Sequence, residues 1–272
     1  APCIGWATYH IYAKNPNANV LVTPADHLIL QEDAFDEAIS RSLDYVKAHP
    51  KLVTLGVRPS RPETGYGYIQ FTDCEDEHFV KVKTFTEKPN IEMAKVFYES
   101  GEFLWNSGMF AWNVQTILDA FHQYLPSLTS ILDEVKGAYA TDEEQSRVSQ
   151  VFSECPNISI DYAVLEKADN VMVLPVDFGW ADLGTWGSLY ELKREEPRAN
   201  VALHTKALFY EAEGNIVSLD GDPEKQLVVV QGINDCIVAQ SKGVLLICKR
   251  DEEQRIKEFM GEASVQFDKK FD

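Results

Sequence analysis

The chain has 272 residues, of which 45% are hydrophobic and 25% charged, the balance of a globular protein with room for one large α/β domain and a small appendage. Its formal net charge of −18 argues against a nucleic-acid partner, because binding a polyanion requires a basic footprint that releases counterions. A small phosphorylated substrate needs only local positive charge, and with no apolar run near the ~20 residues of a bilayer span and no leader-like N-terminus, a cytoplasmic location without membrane contact is expected.

The chain opens on a helical pattern, with Ile4, Ala7, Thr8 and Ile11 on one face. Residues 19–25 are apolar and β-branched and run into Asp26-His27, which reads as a buried strand with a polar exit. Residues 33–48 carry Phe35, Ala38, Ile39, Leu43 and Val46 at helical spacing and stop at His49-Pro50. Residues 52–57 form a second buried strand, and a strand–helix–strand unit predicts a largely parallel sheet. Pro59–Gly67 is a loop by its proline and glycine content. Residues 79–86 alternate as a strand does, and 91–100 predict a short helix closed by Gly101. Residues 103–112 are an aromatic, apolar run around Asn106-Ser107-Gly108. Helical patterns follow at 113–122, 128–136 and 142–153, then a buried strand at 171–176 that leads into a loop, Asp177–Trp186.

The texture changes after Pro197. Short β-rich runs at Ile216–Leu219, Leu227–Gln231, Cys236–Ala239 and Val244–Cys248 predict all-β structure with tight turns, and a terminal helix is expected at 251–260. The expected domains are therefore 1–197, α/β, and 198–272, small and β-rich. Five cysteines (Cys3, Cys74, Cys155, Cys236, Cys248), odd in number and without a CxxC pair, read as reduced thiols, most of them buried, and not as a disulfide framework or a zinc site.

Several residues could carry chemistry. Asp26 follows a strand, where ligands of open α/β sheets bind and where a carboxylate can hold a hard cation; it could equally cap the next helix. Asp182 sits in Gly179-Trp180-Ala181-Asp182-Leu183-Gly184-Thr185-Trp186, where glycines allow close backbone approach and tryptophans exclude water, or where it is a turn residue beside core aromatics. Glu87-Lys88-Pro89 leaves a strand with its two charges expected on different sides, offering a carboxylate to hydroxyls and an ammonium to a phosphate, or merely an exposed strand end. Thr64-Gly65-Tyr66-Gly67-Tyr68 is glycine-rich but lacks the P-loop and dinucleotide patterns, so it suits a flat wall against a sugar better than a phosphate cradle. Asn106 is an amide in an apolar run and must either tie down a turn or bind ligand hydroxyls. His27 reads as structural, and no Ser-His-Asp or Cys-His arrangement supports covalent catalysis.

Six motifs then occur in a fixed order: Val22-Thr23-Pro24-Ala25-Asp26-His27, Pro62-Glu63-Thr64-Gly65-Tyr66-Gly67-Tyr68-Ile69, Phe85-Thr86-Glu87-Lys88-Pro89, Leu104-Trp105-Asn106-Ser107-Gly108-Met109-Phe110, Ser159-Ile160-Asp161-Tyr162-Ala163-Val164-Leu165-Glu166-Lys167 and the Asp182 run. Together they resemble the mannose-1-phosphate guanylyltransferases, over essentially the whole chain. The resemblance implies a three-layer, Rossmann-like nucleotidyltransferase core with a small β-helix-like C-terminal domain that aids homodimerisation. It implies GTP and mannose 1-phosphate as substrates, Mg²⁺ as cofactor, and Asp26 and Asp182 as its ligands. It further implies that Gly65, Tyr66, Gly67, Glu87 and Asn106 hold the mannose, that Lys88 lies near the sugar phosphate, and that Asp161 lies beside the site. The family's Gly-rich loop with Arg and Lys, which grips the triphosphate, is expected upstream of Ala1. The alternatives are a non-catalytic sugar-phosphate-binding or regulatory homologue, or a glucose-1-phosphate nucleotidyltransferase.

Overall fold

The structure is a computed structural model that describes residues 1–72 and 78–267. In chain order the elements are α1 (Pro2–Lys14), β1 (Asn19–Val22), β2 (His27–Ile29), α2 (Glu32–Ala48), β3 (Leu52–Val57), β4 (Tyr68–Phe71), β5 (Val80–Thr86), α3 (Ile91–Ser100), β6 (Phe103–Asn113), α4 (Val114–Tyr124), α5 (Pro126–Asp133), α6 (Glu144–Val151), β7 (Val171–Val176) and β8 (Trp180–Asp182). They continue with α7 (Trp186–Lys193), β9 (Val201–Leu203), β10 (Lys206–Tyr210), β11 (Ile216–Leu219), β12 (Leu227–Gln231), β13 (Cys236–Ser241), β14 (Val244–Lys249) and α8 (Ile256–Gln266). Packing separates two units: Ala1–Ala25 with Ile29–Trp180, and Asp26–Leu28 with the residues from Ala181 onward.

Local chemistry explains most of the helices of the first unit. Helix α2 starts with Glu32 and Asp33, which complement the positive end of its dipole, buries Ala38, Ser42 and Val46 on one stripe, and stops before Pro50. Helix α3 is capped by Asn90, whose side chain accepts the Met93 N–H at 2.9 Å, and it closes at Gly101 with φ +70°. Helix α1 forms where its pattern predicts, but its buried face is Gly5, Thr8 and Tyr9, and Ala7 is exposed. Tyr9 decides the rotation: its ring lies 5.2 Å from that of Tyr139 and its hydroxyl donates to Asp133, a larger burial than a methyl group provides.

The main sheet has the order β1-β6-β3-β7-β5-β4, with β4 also paired to β6. It is mixed, not largely parallel as expected. Among the described residues only β3–β7 is a parallel pair, while β1–β6, β3–β6, β4–β5, β4–β6 and β5–β7 are antiparallel. The reason is β6: the run around Asn106 is a strand, and it inserts between β1 and β3 and opposes both. This also makes Asn19–Val22 an edge strand, half-buried and not fully buried. Strand β3 is buried at every position and splits its side chains between two cores. Leu52 joins Tyr9, Phe110, Trp112, Phe121 and Leu128 on one face, whereas Val53, Leu55 and Val57 join Ala38, Val46, Tyr68 and Trp105 on the other. Its Gly56 is a packing requirement, since a Cβ there would lie 2.6 Å from both Leu104 Cδ1 and Val173 Cγ2.

The second unit stacks β9, β11 and β13 in parallel, so that Val201, Ile216 and Ile237 align across the tiers, and pairs β10 with β12 in parallel. The expected tight-turn arrangement holds only for β13–β14, a hairpin turned by Lys242 and Gly243 with φ +48° and +81°. Elsewhere the partners are next but one in sequence, and the short strands β9 and β10 lie where the sequence pattern assigned none. Buried Asn215 ties the stack: its amide donates to Asn200 Oδ1 and Ile233 O and accepts the Cys236 N–H, so the polar group is satisfied. Helix α7 contributes Trp186, Leu189 and Tyr190 to this core. Cys3 is exposed, Cys155 and Cys248 are half-buried and only Cys236 is buried, so most described thiols are not buried as expected; all four are free, and Cys74 lies outside the described residues.

Candidate functional site

Strand β6 carries an irregularity at its centre. Thr54 pairs with Phe110 and Gly56 with Asn106, so two steps along β3 correspond to four along β6. Such bulges re-aim side chains and are common beside active sites. Asn106 builds this one. Its Oδ1 accepts the Gly108 N–H at 3.1 Å and faces Thr54 Oγ1 at 3.4 Å, while Gly108 takes φ +70°. Its Nδ2 donates to Asp161 Oδ1 at 2.8 Å, and its backbone N–H donates to Gly67 O at 2.8 Å. Asp161 opens a single π-helical turn, Asp161–Leu165, a rare form that is frequent at functional sites. Asn106 thus ties down a turn, and it also brings Gly67 and Asp161 together.

Gly67 meets the next member. A Cβ on it would lie 2.7 Å from Glu87 Oε2, so the Glu87 carboxylate rests against the bare α-carbon of the glycine loop. Lys88 takes φ +45°, a left-handed conformation that places its Nζ 3.4 Å from Glu87 Oε1. The two charges therefore share one side, in place of the divergence expected of a regular strand exit. Lys88 is 61% exposed, so the pair is solvent-screened and the ammonium is accessible to an anion. Tyr66 is buried with its ring edge-on to Trp105 and Trp180, making an aromatic wall beneath the loop. Partial desolvation, then the negative charges of Asp161 and Glu87, push the Glu166 carboxyl above its ordinary value. Gly65, Gly67, Glu87, Lys88, Asn106 and Asp161 are thus all parts of one unit. Carboxylate, amide and backbone groups of this kind bind hydroxyls directionally.

Sequence reasoning missed Thr54, Glu63 and Glu166. Thr54 is hidden in an apolar strand, and Glu63 is a buried carboxylate in a loop where an exposed one is the ordinary expectation. Its carboxylate reaches the Gly65 N–H two residues on, a bond that Asp and Asn make in recognised turns but that has no standard signature for Glu.

Asp26 and Asp182 belong to the other unit. Asp26 caps no helix: α2 begins at Glu32 after Gln31. It directly precedes β2, and Asp182 ends β8; β2 and β8 form one two-stranded ribbon. The Asp26 side chain is 88% exposed, with His27 Nε2 3.9 Å from its Oδ1. Asp182 Oδ1 accepts the Gly184 N–H at 2.7 Å, which orients the carboxylate. Among the described residues no three His, Cys, Asp or Glu side chains gather to hold a metal ion. A hard divalent cation of the Mg²⁺ type takes only one or two protein carboxylates and completes its shell with water and phosphate, so a pair of aspartates suits it as a donor set. No described helix is long and apolar enough to cross a membrane.

Residues 1–198 match the nucleotidyl transferase family. The chain is 35% identical to a mannose-1-phosphate guanylyltransferase of Escherichia coli over 264 residues, 94% of this chain and 56% of that protein. It is 36% identical to another of that description from Salmonella typhimurium, over 94% of this chain and 54% of that one. Among solved structures, a Thermus thermophilus protein described as a mannose-1-phosphate geranyltransferase aligns with a TM-score of 0.80 at 28% identity, covering 97% of this chain and 75% of that one. The chain spans about half the length of the curated relatives it matches.

Proposed function

The chain belongs to the nucleotidyl transferase family, and on that premise we propose that it serves the transfer of GMP from GTP to mannose 1-phosphate. An oxygen of the sugar phosphate attacks the α-phosphorus of GTP in line. A new P–O bond forms, the bond from the α-phosphorus to the bridging oxygen breaks, and GDP-mannose and pyrophosphate result. No protein nucleophile is needed; the task is positioning and charge neutralisation. Glu87, Asn106 and the Gly65–Gly67 backbone hold the mannose hydroxyls, with Tyr66 as the wall under the loop and Asp161 orienting the Asn106 amide. Lys88 faces the sugar phosphate. Asp26 and Asp182 hold Mg²⁺, which when bound offsets the repulsion between the two phosphate groups.

The observation that carries this reading is the convergence of Gly67, Glu87, Asn106 and Asp161 through the β6 bulge, a directional hydroxyl site in a chain whose named relatives align along nearly its whole length. The parallel tiers of the second unit read as turns of a β-helix, the family resemblance implies a homodimer, and a cytoplasmic location accords with nucleotide and phosphosugar substrates. The test is pyrophosphate release by the full-length protein across a panel of nucleoside triphosphates and sugar 1-phosphates with Mg²⁺. GTP with mannose 1-phosphate should exceed every other pair; preference for glucose 1-phosphate, or no release with any pair, overturns the proposal.

A further inference from the structure

Glu63 takes no direct part in the proposed reaction, yet both its carboxylate oxygens and its backbone N–H are held. Its side chain is 6% exposed. Oε1 accepts the Gly65 N–H at 2.9 Å, Oε2 accepts from Arg61 Nη2 at 2.8 Å, and its own backbone N–H donates at 2.9 Å to the hydroxyl of Tyr68, a side chain with no exposure. The Arg61 guanidinium in turn lies 5.4 Å from the centroid of the Trp105 ring, next in sequence to Asn106. The loop from Glu63 to Gly67 is therefore pinned at both ends: by Glu63 at its start, and by the bond from the Asn106 N–H to Gly67 O at its finish.

A buried carboxylate is costly unless it is paired and hydrogen-bonded, and replacing such a pair with apolar side chains often stabilises a fold. A pair retained here is thus better explained by geometry than by stability. The geometry concerned is the seat of Glu87. Gly67 touches the Glu87 carboxylate so closely that a single added carbon would overlap it, so a small displacement of the loop changes where that carboxylate can rest. We propose that Glu63, charge-balanced by Arg61, is a positioning residue for the sugar 1-phosphate: its bond to the Gly65 N–H sets the height of the glycine loop and so the place of Glu87. The inference rests on the functional reading above for the sugar 1-phosphate as ligand and for the role of Glu87 in holding it.

Glu63→Ala alone would take this carboxylate from Arg61 and mix a loss of stability with any change in geometry. The test therefore compares two uncharged pairs in the full-length protein, R61M/E63Q and R61M/E63L. They have similar volume and both lack the ion pair, but only glutamine keeps an acceptor for the Gly65 N–H. Wild type is first assayed across sugar 1-phosphates, and both variants are then measured on the sugar it prefers. A preference other than mannose 1-phosphate corrects the substrate assignment, and the Glu63 comparison is decided on the preferred sugar all the same. With thermal melts confirming folded protein, R61M/E63L should show a KM for the sugar 1-phosphate about tenfold above that of R61M/E63Q, the size of one lost hydrogen bond to an oriented group. The KM for the nucleotide should differ less than about twofold between them on the same reasoning. Equal sugar KM values in the two variants, or equal rises for both substrates, would overturn the inference.

Discussion

Asn106 and Asp26 stand at opposite ends of a scale of constraint. Asn106 is fixed by its backbone and by both atoms of its amide, each directed at a named partner. The Asp26 side chain is almost fully exposed, and Asp182 accepts a turn bond from the Gly184 N–H. The contrast matches the tasks proposed for them. Sugar hydroxyls are recognised by direction, so the groups that read them are set before the ligand arrives, and a misplacement of about 1 Å is expensive. A divalent cation attracts carboxylates without strong directional demand, and it gathers its own shell of water and phosphate. Preorganisation is therefore concentrated where recognition is angular and is light where it is ionic.

The sharpest way to break this comparison is at the ionic end. In the full-length protein, Asp26→Asn and Asp182→Asn should each reduce kcat by about two to three orders of magnitude, the scale of weakening the metal's charge neutralisation at the reacting phosphates. For Asp26→Asn the thermal melt should stay close to wild type, because an exposed carboxylate contributes little to folding. Steady-state pyrophosphate release against Mg²⁺ concentration measures both, and near-normal turnover in either variant sinks the metal assignment. At the angular end the effect is smaller and falls on binding. Gly67→Ala places a methyl group 2.7 Å from Glu87 Oε2, and the partly exposed carboxylate must swing aside. The KM for mannose 1-phosphate should rise roughly tenfold, about 1.4 kcal/mol, with kcat and the KM for GTP changing less. An unchanged sugar KM would remove Glu87 from the sugar site.

The same contrast explains what the sequence reveals. Helices and buried strands are written in periodicity, so α2, β3, α3 and β7 lie close to where their apolar spacing puts them. The order of strands in a sheet has no such local signature. Nothing in residues 103–113 announces that β6 runs between β1 and β3, because a largely apolar run has the same pattern in either direction. The parallel tiers are hidden for a related reason: Ile216 pairs with Val201 and Ile237, partners set by stacking and not by adjacency. At the site, residue types are legible and geometry is not. An amide in an apolar run signals a satisfied partner set, yet its partners Gly67 and Asp161 are distant in sequence. The positive φ of Lys88, which brings it beside Glu87, is a departure that strand periodicity alone contradicts.

The smallest effect concerns the cost of the angular end. Glu87, Asp161 and Glu166 bring three carboxylates into one region, and Glu166 is the one whose titration records it. Partial desolvation and then the charges of Asp161 and Glu87 raise its carboxyl in the folded protein above the ordinary value of 4.5. A carboxyl raised in this way contributes stability that is fully present below about 4.5, where both states are protonated, and that is lost as pH rises through the folded value. At neutral pH Glu166 therefore opposes folding slightly, and the effect is modest because the residue is exposed and solvent screens it. Glu166→Gln, neutral at every pH, should melt about 1 °C higher than wild type at pH 7.5 and at the same temperature near pH 4. Melting curves of both proteins across that range decide it. A difference that is constant with pH would trace to packing. One that grows with pH would show that the region proposed to read sugar hydroxyls keeps its carboxylates crowded at some expense in stability.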